Sequence, residues 1–294
     1  MTEEEVICLE NIPPSDYNRM AIQAIRYALL SKPFTIKRVE GLPVADRILN
    51  IFKGKLAEQL FAWFASKHLP DADWESCATP FYQTDKRDFI CKGIEWDIKN
   101  NYIYHAADSL TDYGYTQLPA LVPNRNGGDQ WAKRAELKNP GKAKATGFIF
   151  TFLKGASLHN GKRSDDFCKL MLTELQLQTI EQLEIQFGGN PLAAMPFEPA
   201  WLWEQLKFQP HDSIIHMQYY PKLYITGYAL AQQENLFKNT GPGDAQHQWM
   251  DFLPGGWYSK THKGSCNFLQ GTLWTTLTNA TVPVGLLPSL KSLL

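Results

Sequence analysis

The sequence predicts an α/β fold, and three observations support that prediction. Two long segments with helical periodicity come first and are followed by shorter segments rich in β-branched and aromatic residues. The chain of 294 residues is 44% hydrophobic and 13% aromatic, which is enough to bury a large core. We find no internal repeat, low-complexity tract or linker. A single domain over residues 1–294 is expected, with a separate C-terminal lobe from about residue 200 as the alternative.

Two helices are predicted at the start of the chain. Ser15 is a suitable N-cap for the first, whose apolar residues recur every three or four positions until the Lys32-Pro33 break. The second runs from Pro43 to His68 and carries a stripe of large apolar side chains on one face. The members of this stripe are Leu49, Phe52, Leu56, Leu60 and Phe64.

Strands are predicted after these helices, at residues 87–91, 94–104 and 147–155, where polarity alternates or β-forming residues dominate. A third long helix, whole or broken in two, is predicted after Ser164, because an Asp-rich start precedes helical periodicity and a glycine stop. Residues 213–231 are rich in β-branched and aromatic residues and predict a strand or hairpin. Residues 240–294 are expected to form a loop-rich elaboration or a small C-terminal lobe.

Composition and charge exclude several classes of protein. The five cysteines are odd in number, scattered and without C-x-x-C spacing, which argues against a zinc site or a disulfide framework. The N-terminus resembles no signal peptide, and no apolar run is long enough to cross a membrane, so a soluble cytoplasmic protein is expected. A net charge of −1 argues against coating nucleic acid by charge alone.

The segment RDFICKGIEWDIKNN, residues 87–101, gathers three acidic residues in a predicted hairpin. Strict alternation after residue 93 places Glu95, Asp97 and Lys99 on one face of a strand. A turn at Lys92-Gly93 would set Asp88 directly opposite Asp97, where like charges destabilise a sheet. A bound cation would remove this repulsion. If the turn is longer, Asp85 takes the place of Asp88.

Mg²⁺ suits such a site, because it binds one or two carboxylates and keeps waters that a phosphate can replace. Lys99 would then point toward the bound phosphate or its attacking water. The alternative is an ordinary solvated face, on which Lys99 neutralises Glu95 and Asp97 without any function. Glu58 favours the metal site, because it lies on the second helix in line with Gly54, Ala62 and Ala65, small residues that permit close approach to another backbone.

Together these residues resemble the PD-(D/E)xK, or restriction-endonuclease-like, nuclease superfamily, which includes type II restriction endonucleases. The motifs are GKLAEQLFAWF with Glu58, RDF with Asp88, and EWDIK with Asp97 nine residues after Asp88. The resemblance covers residues 50–155 and, weakly, 216–239, where LYITGYALAQQENLFKN looks like a strand followed by a helix. Arg87 stands where the superfamily often has proline, and the second acid is Asp rather than the commoner Glu.

The resemblance implies a restriction-endonuclease-like core, a central mixed β-sheet flanked by helices. The core would comprise about residues 43–155 and 164–239. Asp88, Asp97 and the carbonyl of Ile98 would bind Mg²⁺, while Lys99 positions or activates the hydrolytic water and Glu58 assists. We expect Lys99 to orient the water and not to act as a base, because a lysine is ordinarily protonated at neutral pH.

The implied activity is Mg²⁺-dependent hydrolysis of phosphodiester bonds in double-stranded DNA, at a specific sequence and by a homodimer. Between residues 123 and 144, six basic residues stand against two acidic ones, which predicts contacts to DNA. The candidate DNA-binding residues are Arg125, Asn126, Lys133, Arg134 and Lys138. The alternatives are a repair or recombination nuclease and a catalytically silent nucleic-acid-binding module. A small-ligand α/β protein ranks last, because no glycine-rich phosphate loop is present.

Overall fold

The computed structural model describes twelve segments of the chain. They are residues 1–34, 42–82, 87–104, 114–123, 145–159, 162–164, 167–187, 214–240, 258–260, 266–269, 273–275 and 279–294. Three α-helices lie in these segments, namely α1 (Pro14–Ser31), α2 (Val44–His68) and α3 (Glu174–Phe187). Short 3₁₀ helices are Glu3–Glu5, Lys32–Phe34, Glu75–Cys77, Tyr115–Gln117, Ala231–Leu236, Val284–Leu286 and Leu290–Leu293.

Fourteen strands accompany the helices in the described segments. The strands are β1 (Ile7–Leu9), β2 (Phe89–Cys91), β3 (Ile94–Tyr104), β4 (Pro119–Pro123), β5 (Ala145–His159), β6 (Lys162–Ser164), β7 (Cys168–Leu170), β8 (Ile215–Met217), β9 (Lys222–Ala229), β10 (Lys238–Thr240), β11 (Tyr258–Lys260), β12 (Cys266–Phe268), β13 (Leu273–Thr275) and β14 (Asn279–Pro283).

The central sheet is mixed and has the strand order β1-β9-β5-β3-β2, with β6 paired to β5. β3 and β5 are parallel, whereas the pairs β1·β9, β5·β9 and β2·β3 are antiparallel. The other sheets have the orders β10-β14-β4, β11-β12-β13 and β7-β8. The predicted α/β class, with a mixed sheet flanked by helices, is confirmed.

Two apolar cores lie on opposite faces of the central sheet, because successive side chains of a strand point to opposite faces. On β5, Ile149 and Leu153 pack in the core that contains the buried faces of α1, α2 and α3. Phe148, Phe150 and Phe152 pack in the other core, with residues of β4 and β14. The stripe predicted on α2 is buried in the first core, except for Leu49, which is partly buried.

A buried group of charged side chains ties the three helices together. Glu184 of α3 pairs with Lys32, at the end of α1, at 2.8 Å and with Arg47 in the first turn of α2. Lys32 is only 2% exposed, so each charge depends on its partners for compensation. These ion pairs hold the N-terminal end of α2, the helix that carries Glu58.

Two predictions about elements are wrong. Ser15 lies inside α1, whose N-cap is Pro13, and Pro14 occupies the first turn, where its missing N–H costs nothing. The predicted third helix starts only at Glu174, because Cys168–Leu170 pairs with β8 as a strand. Thr173 caps α3, since its hydroxyl accepts from the N–H of Gln176 at 3.3 Å and its N–H donates to the Gln176 side chain at 2.9 Å.

The segment from residue 213 to 239 also differs in detail from its prediction. Residues 214–230 contain two strands that belong to different sheets, since β8 pairs with β7 while β9 lies between β1 and β5. A short 3₁₀ helix, Ala231–Leu236, follows β9 where the resemblance implies a helix. Nearer the C-terminus, β14 pairs with β4 over five residue pairs. Within the described residues, no helix combines the length and the apolar character that a membrane crossing needs.

Gly147→Ala is expected to destabilise the protein by about 1–3 kcal/mol, the usual cost of overpacking a core. Gly147 lies on β5, and a Cβ atom there would approach Cζ3 of Trp96 to 2.4 Å and Cδ2 of Leu230 to 2.9 Å. Trp96 precedes Asp97, so its position also orients the acidic strand. Urea denaturation of the variant measures the loss.

Gly54→Ala is the matched control for this substitution. In the described part of the chain, a Cβ atom at Gly54 would meet nothing within 4 Å, so the expected close approach of another backbone is absent there. Because glycine is unfavourable inside a helix, this variant should be more stable by about 0.5–1 kcal/mol. If the two substitutions had equal effects, the packing of Trp96 on Gly147 would not matter for stability.

Candidate active site

The predicted hairpin forms one edge of the central sheet, and its regular strands pair in the predicted register. The pairs are Phe89 with Trp96, Ile90 with Glu95, and Cys91 with Ile94. The turn residues Lys92 and Gly93 have φ angles of 52° and 72°. Two residues with positive φ form the tight turn that best matches the twist of a hairpin. The predicted turn is therefore confirmed.

The regular backbone pairing of the hairpin stops at Phe89, and beyond it the side chain of Asp88 accepts a hydrogen bond from β3. β2 begins at Phe89, so Asp88 and Asp97 are not a ladder pair as predicted. The N–H of Asp88 donates to the carbonyl of Trp96 at 2.9 Å. Its Oδ2 accepts from the N–H of Ile98 at 2.5 Å and replaces the backbone acceptor that a longer strand would supply. The Asp88 carboxylate is thereby held against β3.

The carbonyl of Ile98 faces the same edge of the sheet as the Asp88 carboxylate. In an antiparallel pair, the N–H and C=O of one residue point toward the same neighbouring strand. Because the N–H of Ile98 donates to Asp88, its carbonyl lies on this side of β3 as well. The side chain of Ile98 is buried in the core on the helical side of the sheet. Asp88 and the Ile98 carbonyl thus present oxygen atoms at one edge.

The carboxyl group of Asp88 is desolvated and lies near other carboxylates. Desolvation raises the pKa of Asp88 well above its usual range, and the neighbouring carboxylates of Glu58 and Asp97 raise it further. Lys55 and the hydrogen bond from Ile98 act in the opposite direction. The three acids therefore form one cluster in which charge on Asp88 is costly without an additional cation.

Each of the other two acids has a lysine partner. Nζ of Lys99 lies 2.6 Å from Oδ2 of Asp97, and Nζ of Lys55 lies 2.6 Å from Oε2 of Glu58. These four side chains are only 15–22% exposed. The contact between Asp97 and Lys99 is the one that the solvated-face alternative requires. That alternative accounts for the Asp97–Lys99 pair but not for the desolvated Asp88, and Glu95 pairs with Arg87 at 3.3 Å.

Lys55 is the member of the cluster that sequence reasoning missed. Its ammonium lies 4.5 Å from the centroid of the Tyr27 ring, which belongs to α1. The sequence contained one signal, because Lys55 precedes Glu58 by three residues on a predicted helix and therefore shares its face. Its proximity to Asp88 depends on how α2 packs against the hairpin, which no local pattern reveals.

Several predicted residues lie outside the described segments. These are the alternative ligand Asp85 and the candidate DNA-binding residues Arg125, Asn126, Lys133, Arg134 and Lys138. Their roles stay predictions. The predicted site residues that the structure does describe are Glu58, Asp88, Asp97, Ile98 and Lys99, and these lie together at one edge of the sheet.

The oxygen atoms at this edge suit a hard cation. Among the described residues, no three or more His, Cys, Asp or Glu side chains form a group that could hold a metal ion. Mg²⁺ does not require such a group, because one or two carboxylates together with waters and substrate oxygens complete its coordination. Asp88, Asp97 and the Ile98 carbonyl would supply oxygen donors of this kind, and the carboxylates near Asp88 favour an added positive charge. The residues therefore fit Mg²⁺.

Comparison with family models, with curated proteins and with solved structures finds no match to this chain. The protein is thus characterised by its own fold and site. It is a mixed α/β protein in which Glu58 and Lys55 of α2 and Asp88, Asp97 and Lys99 of the edge hairpin form a cluster of three carboxylates and two lysines.

Asp88→Asn is expected to stabilise the metal-free protein at neutral pH by about 1 kcal/mol, a typical gain from relieving unfavourable charge. The asparagine oxygen can still accept from Ile98, while the desolvated charge is removed. Because the pKa of Asp88 is raised in the folded state, its penalty is absent below the pKa of the unfolded chain, about 4. This destabilising effect of Asp88 grows as the pH rises from the pKa of the unfolded chain through the pKa of Asp88 in the folded protein. The gain should therefore shrink toward acid pH, which urea denaturation in EDTA at several pH values measures.

Asp16→Asn is the control, for which the expected change in stability has the opposite sign. Hydrogen bonds from Arg19 and Trp63 lower the pKa of Asp16, so its charge stabilises the folded state above the unfolded pKa. Neutralising Asp16 should destabilise the protein at neutral pH, and this effect should also vanish on acidification. A stability difference for Asp88→Asn that stays constant from pH 7 to about pH 4 would contradict the desolvated carboxylate.

Proposed function

We propose that the protein is a Mg²⁺-dependent endonuclease that hydrolyses phosphodiester bonds of double-stranded DNA, with sequence-specific, restriction-type cleavage as its activity. The observation that carries the proposal is the desolvated Asp88, held among Glu58, Asp97, Lys55 and Lys99 at the sheet edge. Phosphodiester hydrolysis needs oxygen ligands for a hard cation and positive groups for the charge that develops on the phosphate. This edge offers both.

Asp88, Asp97 and the carbonyl of Ile98 would hold the metal. When bound there, Mg²⁺ polarises the scissile phosphate and lowers the pKa of a coordinated water. Lys99 has three N–H donors and uses one of them for Asp97 at 2.6 Å. Its other donors can orient the attacking water or bind a phosphate oxygen. An ammonium accepts no hydrogen bond, so Lys99 acts as a donor and not as the base.

The fold supports the same proposal. A long helix with Glu58 precedes an acidic hairpin at the edge of a mixed sheet, as expected for a restriction-endonuclease-like core. Glu58 would assist from α2, where its charge acts on Asp88. The choice of double-stranded DNA and of a homodimer rests on the resemblance and on the basic segment 123–144, most of which lies outside the described residues.

A cleavage assay tests the proposal directly. Purified protein is incubated with supercoiled plasmid and with genomic DNA, in Mg²⁺ or in EDTA, and the products are separated on gels. Discrete fragments that appear only with Mg²⁺ are the expected result. A smear or nicked plasmid would instead indicate a nonspecific or repair-type nuclease. If no nucleic acid is cut and no Mg²⁺ binds, the proposal fails and the silent nucleic-acid-binding module becomes the better interpretation.

A further inference from the structure

We propose that Lys55 is a positioning residue of the candidate active site, whose ammonium holds Glu58 and offsets the acidic cluster so that a nucleic-acid phosphate can approach it. This inference rests on the proposed function and extends it to a residue outside the motifs of the resemblance. It assigns the two lysines of the site to different tasks. Lys99 would act on the reacting groups, whereas Lys55 would make the site accessible to a polyanion.

The position of Lys55 is constrained from two sides. Its Nζ donates to Oε2 of Glu58 at 2.6 Å, one turn along α2. The ring of Tyr27, from α1, lies 4.5 Å from the same ammonium, which is a cation–π distance. The side chain is 16% exposed, whereas most lysines are largely exposed. The ammonium is therefore held near one position by Glu58 and Tyr27, and the side chain keeps a small exposed surface.

The charges around Asp88 explain why this position matters. Lys99 is paired with Asp97, and Lys55 is the cation whose charge opposes the effect of Glu58 and Asp97 on Asp88. Three carboxylates in one place attract a divalent cation but repel a phosphodiester. An ammonium beside them weakens both effects. Removing Lys55 should thus have opposite consequences for the two ligands, which loss of structure alone would not produce.

Lys55→Met separates the two ligands experimentally. Titration calorimetry measures Mg²⁺ binding to the DNA-free protein, and fluorescence anisotropy measures binding of a labelled random duplex in Ca²⁺, which also takes oxygen ligands. We expect the duplex to bind about fivefold more weakly, which is the effect of one unit charge a few ångströms away in a high dielectric. Mg²⁺ carries two charges, so its binding should tighten by at least about fivefold. Lys55→Arg keeps the charge and should restore duplex binding.

Lys67→Met is the matched control on the same helix. Lys67 is exposed and lies 3.4 Å from the centroid of the Trp63 ring, so the substitution removes an equal charge and an equivalent aromatic contact. It should change neither affinity. If Lys55→Met weakens the binding of both Mg²⁺ and duplex, or changes neither affinity, the inference is overturned. If the wild-type protein binds duplex and metal but cuts nothing, the proposed hydrolysis fails, while opposite shifts in the two affinities would still support the role of Lys55.

Discussion

Asp97→Asn is expected to abolish Mg²⁺-dependent DNA cleavage while leaving the protein folded. The substitution removes one of the two carboxylates proposed to hold the metal. Because a bound metal would contribute several kcal/mol to stabilising the transition state, cleavage should fall by about a thousandfold or more. The free energy of unfolding without metal should change by less than about 1 kcal/mol, since a partly exposed ion pair with Lys99 contributes little.

Single-turnover cleavage of plasmid, with chemical denaturation in EDTA alongside, measures both parts of this prediction. Glu95→Gln is the matched control, because Glu95 precedes Asp97 by two residues and pairs with Arg87 instead of joining the cluster around Asp88. It removes the same charge from the same strand and should cut DNA at the wild-type rate. A fully active Asp97→Asn protein would exclude this site as the catalytic centre.

Lys99→Met is expected to reduce activity without removing a metal ligand. Cleavage should fall by about a hundred- to a thousandfold, the usual effect of removing one donor that stabilises a transition state. Binding of Mg²⁺ should persist or become tighter, because the substitution removes a cation that lies 2.6 Å from Asp97. Lys99→Met should thus act mainly on the rate, whereas Lys55→Met acts on duplex affinity.

Titration calorimetry with Mg²⁺ and single-turnover cleavage at saturating DNA distinguish these effects. Lys222→Met serves as the control, because Lys222 lies on β9 of the same sheet and pairs with Glu10 at 2.9 Å, away from the acidic cluster. That variant should keep both metal affinity and rate. Loss of Mg²⁺ affinity in Lys99→Met would show that Lys99 supports the metal site instead of the reacting groups.

Local signals predicted the parts of the fold whose determinants are close in sequence. The apolar stripe of α2 identified this helix to within one residue, because helical periodicity over 25 residues is a strong signal. The hairpin turn and register followed from Lys92-Gly93 and from the alternation around Trp96. The helical interpretation of residues 167–173 failed, because the segment that includes Cys168 and Leu170 suits a strand equally well and only its partner β8 decides between them.

The sequence by itself determined the two elements that carry the candidate site, α2 with Glu58 and the hairpin with Asp88, Asp97 and Lys99. Only the tertiary structure decided that β3 lies parallel to β5 and that Lys55 faces Asp88. The physical reason is the sequence separation of the interacting residues. Helix periodicity and turn geometry are set by neighbours within a few residues, whereas the charge balance around Asp88 depends on side chains from α2 and the hairpin that meet only when both pack on one core.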